Sequence, residues 1–136
     1  MAWVTFTDPE VAQVGLTEEA ARARHGDRVV VSRWNLNHID RAKCDDDEDG
    51  FIKIVTDGGG RLLGATIVAA RAGELSGEIS LAVAHGLTIG DVSTAVHAYP
   101  TYATALQQMA SDMALARWTS SAAGRFVNGL LGFEKR

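Results

Sequence analysis

The feature that most constrains the fold of this chain is a change in hydrophobic periodicity near residue 70. Before it, apolar side chains either alternate with polar ones or form short runs rich in branched and aromatic residues, as strands do. After it, apolar residues recur at steps of three and four, as on one face of a helix. Because strands come first and helices last, the sequence predicts an α+β domain. We expect a mostly antiparallel sheet of about four to five strands packed against helices.

The first part of the chain contains predicted strands and one short predicted helix. The strands are predicted at residues 3–7, 28–36, 51–56 and 62–69. Asp57 to Gly60 joins the last two strands as a hairpin, because glycine accepts the positive φ angles of a tight reversal. The helix lies between the first two strands, where Thr17 is suited to cap its N-terminus and Gly26 to end it.

The second part of the chain is predicted to be helical. The predicted elements are a helix over residues 74–85, a short connector capped by Thr88 and Asp91, a longer helix opened by Pro100 and Thr101, and a final amphipathic segment from Ser120 that carries Phe126, Leu130 and Phe133. Leu106, Met109 and Met113 lie on one stripe of the longer helix. We expect residues 1–118 to form one domain and residues 119–136 to be a helical extension of it.

Charge, hydropathy and cysteine content exclude several classes of function. The net charge is -4 and the basic residues are scattered singly, so we expect no nucleic-acid partner. No apolar run approaches the roughly 20 residues that cross a bilayer, and we expect no membrane partner and a cytoplasmic location. Cys44 is the single cysteine, so the chain forms no internal disulfide. Sulfur for any redox chemistry has to come from elsewhere.

An acidic stretch raises the alternative of a calcium-binding module. Asp45, Asp47, Asp49 and Gly50 match the first half of an EF-hand loop, in which carboxylates converge around a sharp turn at glycine. The position that should supply a bidentate glutamate is Thr56, and the flanks are predicted as strands. An acidic, solvated loop between strands is the favoured interpretation. The histidines also lack ligand spacing, so we expect no metal site.

Four stretches of the sequence, taken in order, resemble the C-terminal dimerisation domain of the pyridine nucleotide-disulfide oxidoreductases. The first stretch is FTDPE at 6–10 with VGLTE at 14–18, the second is DRA at 40–42, the third runs from GFIKIV at 50–55 through LGA at 63–65 to GE at 73–74 and Glu78, and the fourth is HAYPT at 97–101. The resemblance weakens after about Trp118. The family includes lipoamide dehydrogenase, glutathione reductase and mercuric reductase.

The resemblance implies both a fold and a shared active site. In this family the domain forms the interface of a homodimer, and the loop around residues 97–101 enters the partner's site near the flavin and the redox disulfide. The parent enzyme would use FAD and NAD(P)H, with its FAD and NAD(P) domains as further partners of this domain. By itself the chain is expected to bind no cofactor and to be inactive.

The resemblance also assigns roles to particular residues. His97 and Pro100 are expected on the loop that faces the partner's flavin. The residues expected at the subunit interface are Tyr102, Leu106, Met109 and Met113. A free-standing interaction domain that dimerises without flavin chemistry is the other alternative.

Two positions depart from the family's HxHPTxxE motif, and both concern catalysis. The second histidine, which is the acid-base residue of thiol exchange, is Tyr99 here, and the glutamate that orients it is Thr104. An imidazole with a pKa of about 6.5 exchanges protons with thiolates at neutral pH, whereas a phenol with a pKa of about 10 stays protonated. Mercuric reductases also place a tyrosine there, close to a metal bound by thiolates. The resemblance therefore favours a mercuric-reductase-like parent, although the chain lacks the C-terminal cysteine pair of those enzymes and the parent's substrate stays open.

Overall fold

The computed structural model describes residues 1–130 of the chain, and within them it contains one sheet and a set of helices. The strands are β1 Ala2–Thr5, β2 Glu10–Gly15, β3 Val30–Asn35, β4 Phe51–Thr56 and β5 Leu62–Ala69. The α-helices are α1 Glu18–His25, α2 Asp40–Cys44, α3 Ala72–Ala84, α4 Ile89–Thr94, α5 Thr104–Ser120 and α6 Ala122–Leu130. Two short 3-10 turns, Gly26–Arg28 and Leu36–His38, flank β3.

The sheet has five strands in the order β1-β2-β5-β4-β3, and every neighbouring pair is antiparallel. One face of the sheet packs against α3 and α5 in a single large core, whose fully buried members include Ile52, Ile67, Ile79 and Leu106. On the other face, a smaller cluster around Ala21 seats α1. The α+β prediction and the antiparallel sheet are confirmed.

Local signals placed the middle of the sheet correctly, and they missed one strand. β4 and β5 have the predicted bounds, and the predicted hairpin joins them, with Gly60 donating to the Asp57 carbonyl at 2.9 Å. The first strand ends at Thr5 instead of residue 7. The missed strand is β2, in which Ala12, Gln13 and Val14 are all buried. A strand buried on both faces loses the alternation by which strands are found.

The predicted starts of α1 and α4 are confirmed, because in both cases the residue directly before the helix supplies the capping side chain. Thr17 accepts the N–H of Ala20 at 3.2 Å, and Thr88 and Asp91 bond reciprocally as a capping box. The long helix α5 begins at Thr104, after the predicted Pro100 and Thr101, which belong to the turn before it. Of the final amphipathic segment, Phe126 lies on α6, whereas Phe133 lies outside the described residues. No helix within residues 1–130 is long and apolar enough to cross a membrane.

The start of α3 depends on a cap from a distant strand. Arg71, which precedes the helix, provides no side-chain cap. Glu10 of β2 accepts the N–H of Gly73 at 2.9 Å instead. A carboxylate is favourable at this end of a helix, because it satisfies a free N–H and lies beside the positive end of the helix dipole. The cap therefore fixes where α3 begins on the sheet.

Two glycines allow β2 and β5 to approach each other closely where β2 ends. Gly15 has φ +63° and lies opposite Gly64 in the register of the two strands. A Cβ atom at Gly64 would lie 2.1 Å from the Leu16 carbonyl oxygen, and a Cβ at Gly15 would lie 2.3 Å from the Leu63 carbonyl oxygen. No side chain fits in either place. The VGLT and LGA stretches of the sequence are thus two halves of one contact.

Because of this close contact, we expect one methyl group added at Gly64 to have a large effect on stability. Gly64→Ala should lower the free energy of unfolding by about 1–3 kcal/mol, because backbone on both strands must shift to admit the methyl. Urea unfolding followed by circular dichroism measures this change. The matched control is Gly77→Ala on α3, where a Cβ meets nothing within 4 Å and should stabilise the chain by roughly 0.5–1 kcal/mol. Equal effects of the two substitutions would contradict the close-approach interpretation.

Candidate functional site

The loop between α4 and α5, residues 95–103, is folded back onto the start of α5 by two threonines. Thr101 donates its hydroxyl hydrogen to the Ala98 carbonyl at 2.7 Å, and Thr104 donates to the same carbonyl at 3.0 Å. Thr101 also accepts the backbone N–H of Thr104 at 3.3 Å. Thr104, expected at the position of the catalytic glutamate, therefore serves to close the loop.

His97 anchors this loop to two helices. Its Nε2 lies 2.8 Å from a carboxylate oxygen of Glu78 on α3, and its Nδ1 lies 3.1 Å from the Ala95 carbonyl. Its backbone N–H donates to Gln107 of α5 at 3.3 Å. The side chain is only 11% exposed. Because both ring nitrogens face acceptors, both contacts are hydrogen bonds when the imidazole is protonated.

The surroundings of His97 favour this protonated form. Burial acts to lower its pKa, but the hydrogen bond and charge of Glu78, with the Ala95 carbonyl, outweigh burial and raise the pKa above its ordinary value. Both ring nitrogens are engaged within the protomer. The imidazole is therefore a support of the loop, and of the two residues expected to face the flavin only Pro100 is exposed.

Tyr99 projects from the tip of the loop, with 68% of its surface exposed. Its phenol donates to Oδ2 of Asp40 at 2.8 Å. The hydrogen bond and charge of Asp40 raise the pKa of Tyr99, so the phenol is neutral at physiological pH. Asp40 begins the DRA stretch, which was recognised by resemblance but was given no role from the sequence. No local signal joins two residues that are 59 positions apart.

A second tyrosine ties the acidic loop to the start of α5. Tyr102 donates to Asp47 at 3.2 Å, and burial with the charge of Asp47 raises the pKa of Tyr102 to about 12. Arg41 binds both carboxylate oxygens of Asp45 at 2.8 and 2.7 Å. Both carboxylates are therefore engaged by side chains of the chain itself. Among the described residues no cluster of three or more histidine, cysteine or acidic side chains could hold a metal ion, and this geometry does not favour the calcium alternative.

Three of the four residues expected at the subunit interface are buried within the chain itself. Leu106 and Met109 of α5 are 0% exposed, and Tyr102, in the turn before α5, is 6% exposed, all as members of the main core. These side chains offer little surface of their own, and their place at the subunit interface stays a prediction. Met113 is half-buried at the edge of the same core. The helical period identified the apolar stripe but not what covers it.

The glycine-rich stretch at residues 58–60 is not a dinucleotide-binding turn. Such sites place a glycine-rich turn between a parallel strand and a helix. Here Gly58, Gly59 and Gly60 join two antiparallel strands. These glycines therefore serve the turn of a hairpin and do not form a phosphate-binding loop.

The antiparallel sheet, its helical cover and the clamped loop define an α+β domain with one exposed loop between α4 and α5. The family model for the pyridine nucleotide-disulphide oxidoreductase dimerisation domain matches residues 1–110. The chain belongs to this family.

Individual relatives agree with this assignment. The chain is 42% identical over 106 residues to a dihydrolipoyl dehydrogenase of Halobacterium salinarum, which covers 77% of this chain and 22% of the relative. It is 40% identical over 109 residues to a mercuric reductase of Shewanella putrefaciens, covering 79% of this chain and 19% of the relative. The chain thus spans about a fifth of the length of these curated relatives.

Solved structures show the same fold. LpdA of Mycobacterium tuberculosis superposes with a TM-score of 0.77 at 27% identity, covering 83% of this chain and 25% of that protein. The HOCl-induced flavoprotein disulfide reductase RclA of Escherichia coli also gives a TM-score of 0.77, at 25% identity, covering 82% of this chain and 26% of that protein. Each superposition extends over most of the chain.

The His97–Glu78 pair predicts a pH dependence of stability. Because folding raises the pKa of His97, the pair stabilises the fold fully below the unfolded pKa of about 6.5, and this contribution is lost as pH rises through the raised folded pKa. Glu78→Gln should lower the pKa of His97, read by NMR of the imidazole carbons. It should also reduce the free energy of unfolding more at about pH 6 than at about pH 9.

The control for this experiment is Glu74→Gln, one turn earlier on α3. It removes a carboxylate that makes no ion pair with His97, so the pKa of His97 should stay at the wild-type value. A pKa of His97 that is the same in Glu78→Gln and in the wild type would contradict the anchoring role of the pair.

Proposed function

We propose that this chain is the interface domain of a homodimeric, FAD-dependent NAD(P)H oxidoreductase, and that its loop at 95–103 completes the redox site of the partner subunit. The supporting observation is an exposed tip on a fixed loop. Val96 is 93% exposed and Tyr99 is 68% exposed, whereas His97 between them is held by α3 and α5. A rigid loop that presents an apolar and an aromatic side chain to solvent suits a surface that a partner covers.

The chemistry of the tip supports a particular branch of the family. The neutral phenol of Tyr99 is a poor acceptor of a proton from a thiol, which lipoamide-type or glutathione-type disulfide exchange requires. Transfer of a soft metal ion between thiolates makes less demand on a base. We therefore propose a mercuric-reductase-like parent that acts on a sulfur group or a metal ion. One of the relatives is a mercuric reductase, which supports this branch, whereas most of the similar relatives are dihydrolipoyl dehydrogenases, which support the family as a whole.

The remaining parts of this enzyme are proposed to lie outside the chain. FAD, the nicotinamide cofactor and the redox-active sulfurs would belong to domains in the other four fifths of a protein of the relatives' length. We propose a cytoplasmic location, because Cys44 is an exposed free thiol, which suits a reducing compartment.

Self-association of the chain tests the interface. Sedimentation velocity over a concentration series should show a monomer–dimer equilibrium. Val96→Asp should weaken it by at least about tenfold, because a new carboxylate at a covered position costs about 1.4 kcal/mol or more. Circular dichroism should show an unchanged fold, since Val96 is 93% exposed.

The matched control replaces an exposed apolar residue toward the other end of α5. Leu115 is 60% exposed and lies about 16 Å along the helix from its start at Thr104. Leu115→Asp should leave the dissociation constant unchanged. A wild-type chain that stays monomeric throughout the series, or a dimer that Val96→Asp leaves intact, would overturn the assignment of this loop to the interface.

A further inference from the structure

The Tyr99 side chain is directed by a residue that the loop backbone does not need. The loop is already closed by Thr101 and Thr104 and anchored by His97. The bond from the Tyr99 phenol to Asp40 adds nothing to this closure, because it joins the ring to α2 across the surface. Its effect is to fix the direction of the ring and of its hydroxyl group.

Asp40 is itself held on a firm support. Ile39 before it and Ala42 after it are buried in the main core, at 2% and 0% exposure. Arg41 forms a two-pronged ion pair with Asp45 that braces the short helix α2 from outside. The carboxylate of Asp40 therefore has a defined place relative to the loop.

The carboxylate of Asp40 contacts two side chains, and the two contacts differ in length. Its Oδ2 accepts the phenol of Tyr99 at 2.8 Å, and its Oδ1 lies 3.4 Å from the ammonium of Lys43. The Tyr99 bond is the shorter one and joins distant parts of the chain, whereas Lys43 is a neighbour on the same helix. Cys44 is the other titratable group near the Tyr99 ring.

We propose that Asp40 is the positioning residue of Tyr99, and that it fills the orienting role for which the family uses the glutamate replaced here by Thr104. The proposal rests on the proposed function to the extent that Tyr99 faces a reactant in the partner subunit. Asp40 fixes the direction of the ring and accepts the hydrogen bond that the phenol donates. The face of the hydroxyl oxygen that remains open is therefore a lone pair beside an anionic carboxylate.

This arrangement selects a class of reactant. A lone pair next to a negative charge suits a group that brings positive charge or its own hydrogen, such as a metal cation or a protonated thiol. It does not suit an anionic group that needs a proton. Tyr99 in this setting binds and orients a reactant, and it transfers no proton.

The pairing is testable in the chain itself, because it contains only two tyrosines. With tyrosine labelled by 13C at the ring carbon that carries the hydroxyl, each gives one NMR signal, and Tyr99→Phe identifies them. Asp40→Asn keeps an acceptor but removes the charge, so the titration midpoint of Tyr99 should fall. Asp40→Glu should restore it. The control Asp46→Asn removes a carboxylate that makes no side-chain contact with Tyr99, and the midpoint should stay at the wild-type value.

The reciprocal measurement reads the carboxylate at acidic pH, where alkaline unfolding plays no part. The hydrogen bond from Tyr99 and then that from Lys43 lower the pKa of Asp40. Tyr99→Phe should therefore raise the pKa of Asp40, read from its carboxyl 13C shift, and should leave the pKa of Asp91, whose partner is Thr88, unchanged.

The outcomes separate this proposal from the proposed function. If Asp40→Asn leaves the Tyr99 midpoint in place, or Asp46→Asn moves it as far, the positioning role is overturned, and so it is if Tyr99→Phe leaves the pKa of Asp40 unchanged. Each result is obtained without a flavin or a dimer. A monomeric chain with a coupled Tyr99–Asp40 pair would overturn only the interface, and a dimer without coupling would overturn only the positioning role.

Discussion

The close approach of β2 and β5 at Gly15 and Gly64 is the constraint on which the rest of this structure depends. β5 is the central strand of the sheet, and β2 must lie against it without side chains at this point for the chain to leave the sheet and enter α1. At its other end β2 supplies Glu10, which caps α3. One strand therefore fixes both the exit of the chain to one face of the sheet and the start of the helix that covers the other face.

The geometry of the site depends on these contacts one after another. The cap at the start of α3 determines where Glu78 lies on the sheet, and Glu78 then holds His97 in the loop. The turn before α5 sets the backbone around Ala98, and α2 then supplies the carboxylate that meets Tyr99. The hydrogen bonds within the loop are supplemented by contacts from α2, α3 and α5. This is typical of functional loops, which are accurate only when rigid elements on several sides support them.

Sequence reasoning succeeded where the deciding chemistry is local and failed where it is distant. The hairpin at Asp57 to Gly60 and the caps at Thr17 and Thr88 are made by residues within a few positions, and they were predicted. The glutamate cap of α3 and the Tyr99–Asp40 bond join residues that are 63 and 59 positions apart, and no pattern in one sequence identifies them. The burial of Met109 was missed for a related reason, since an apolar stripe predicts a covered face but not its cover. Glu10, Asp40 and Tyr99 lie in stretches that resemble the family, but the resemblance did not show which residues bond to each other.

The residues that hold the backbone of the loop are different from the residue exposed at its tip. His97, Thr101 and Thr104 fix the backbone, and none of them bonds to the side chain at position 99. A different side chain at that position would be presented from the same place, because the scaffold does not depend on it. A lineage carrying this loop could therefore change what the tip does by exchanging one residue and, in a second step, its partner on α2. New chemistry on this loop would then require no change of fold.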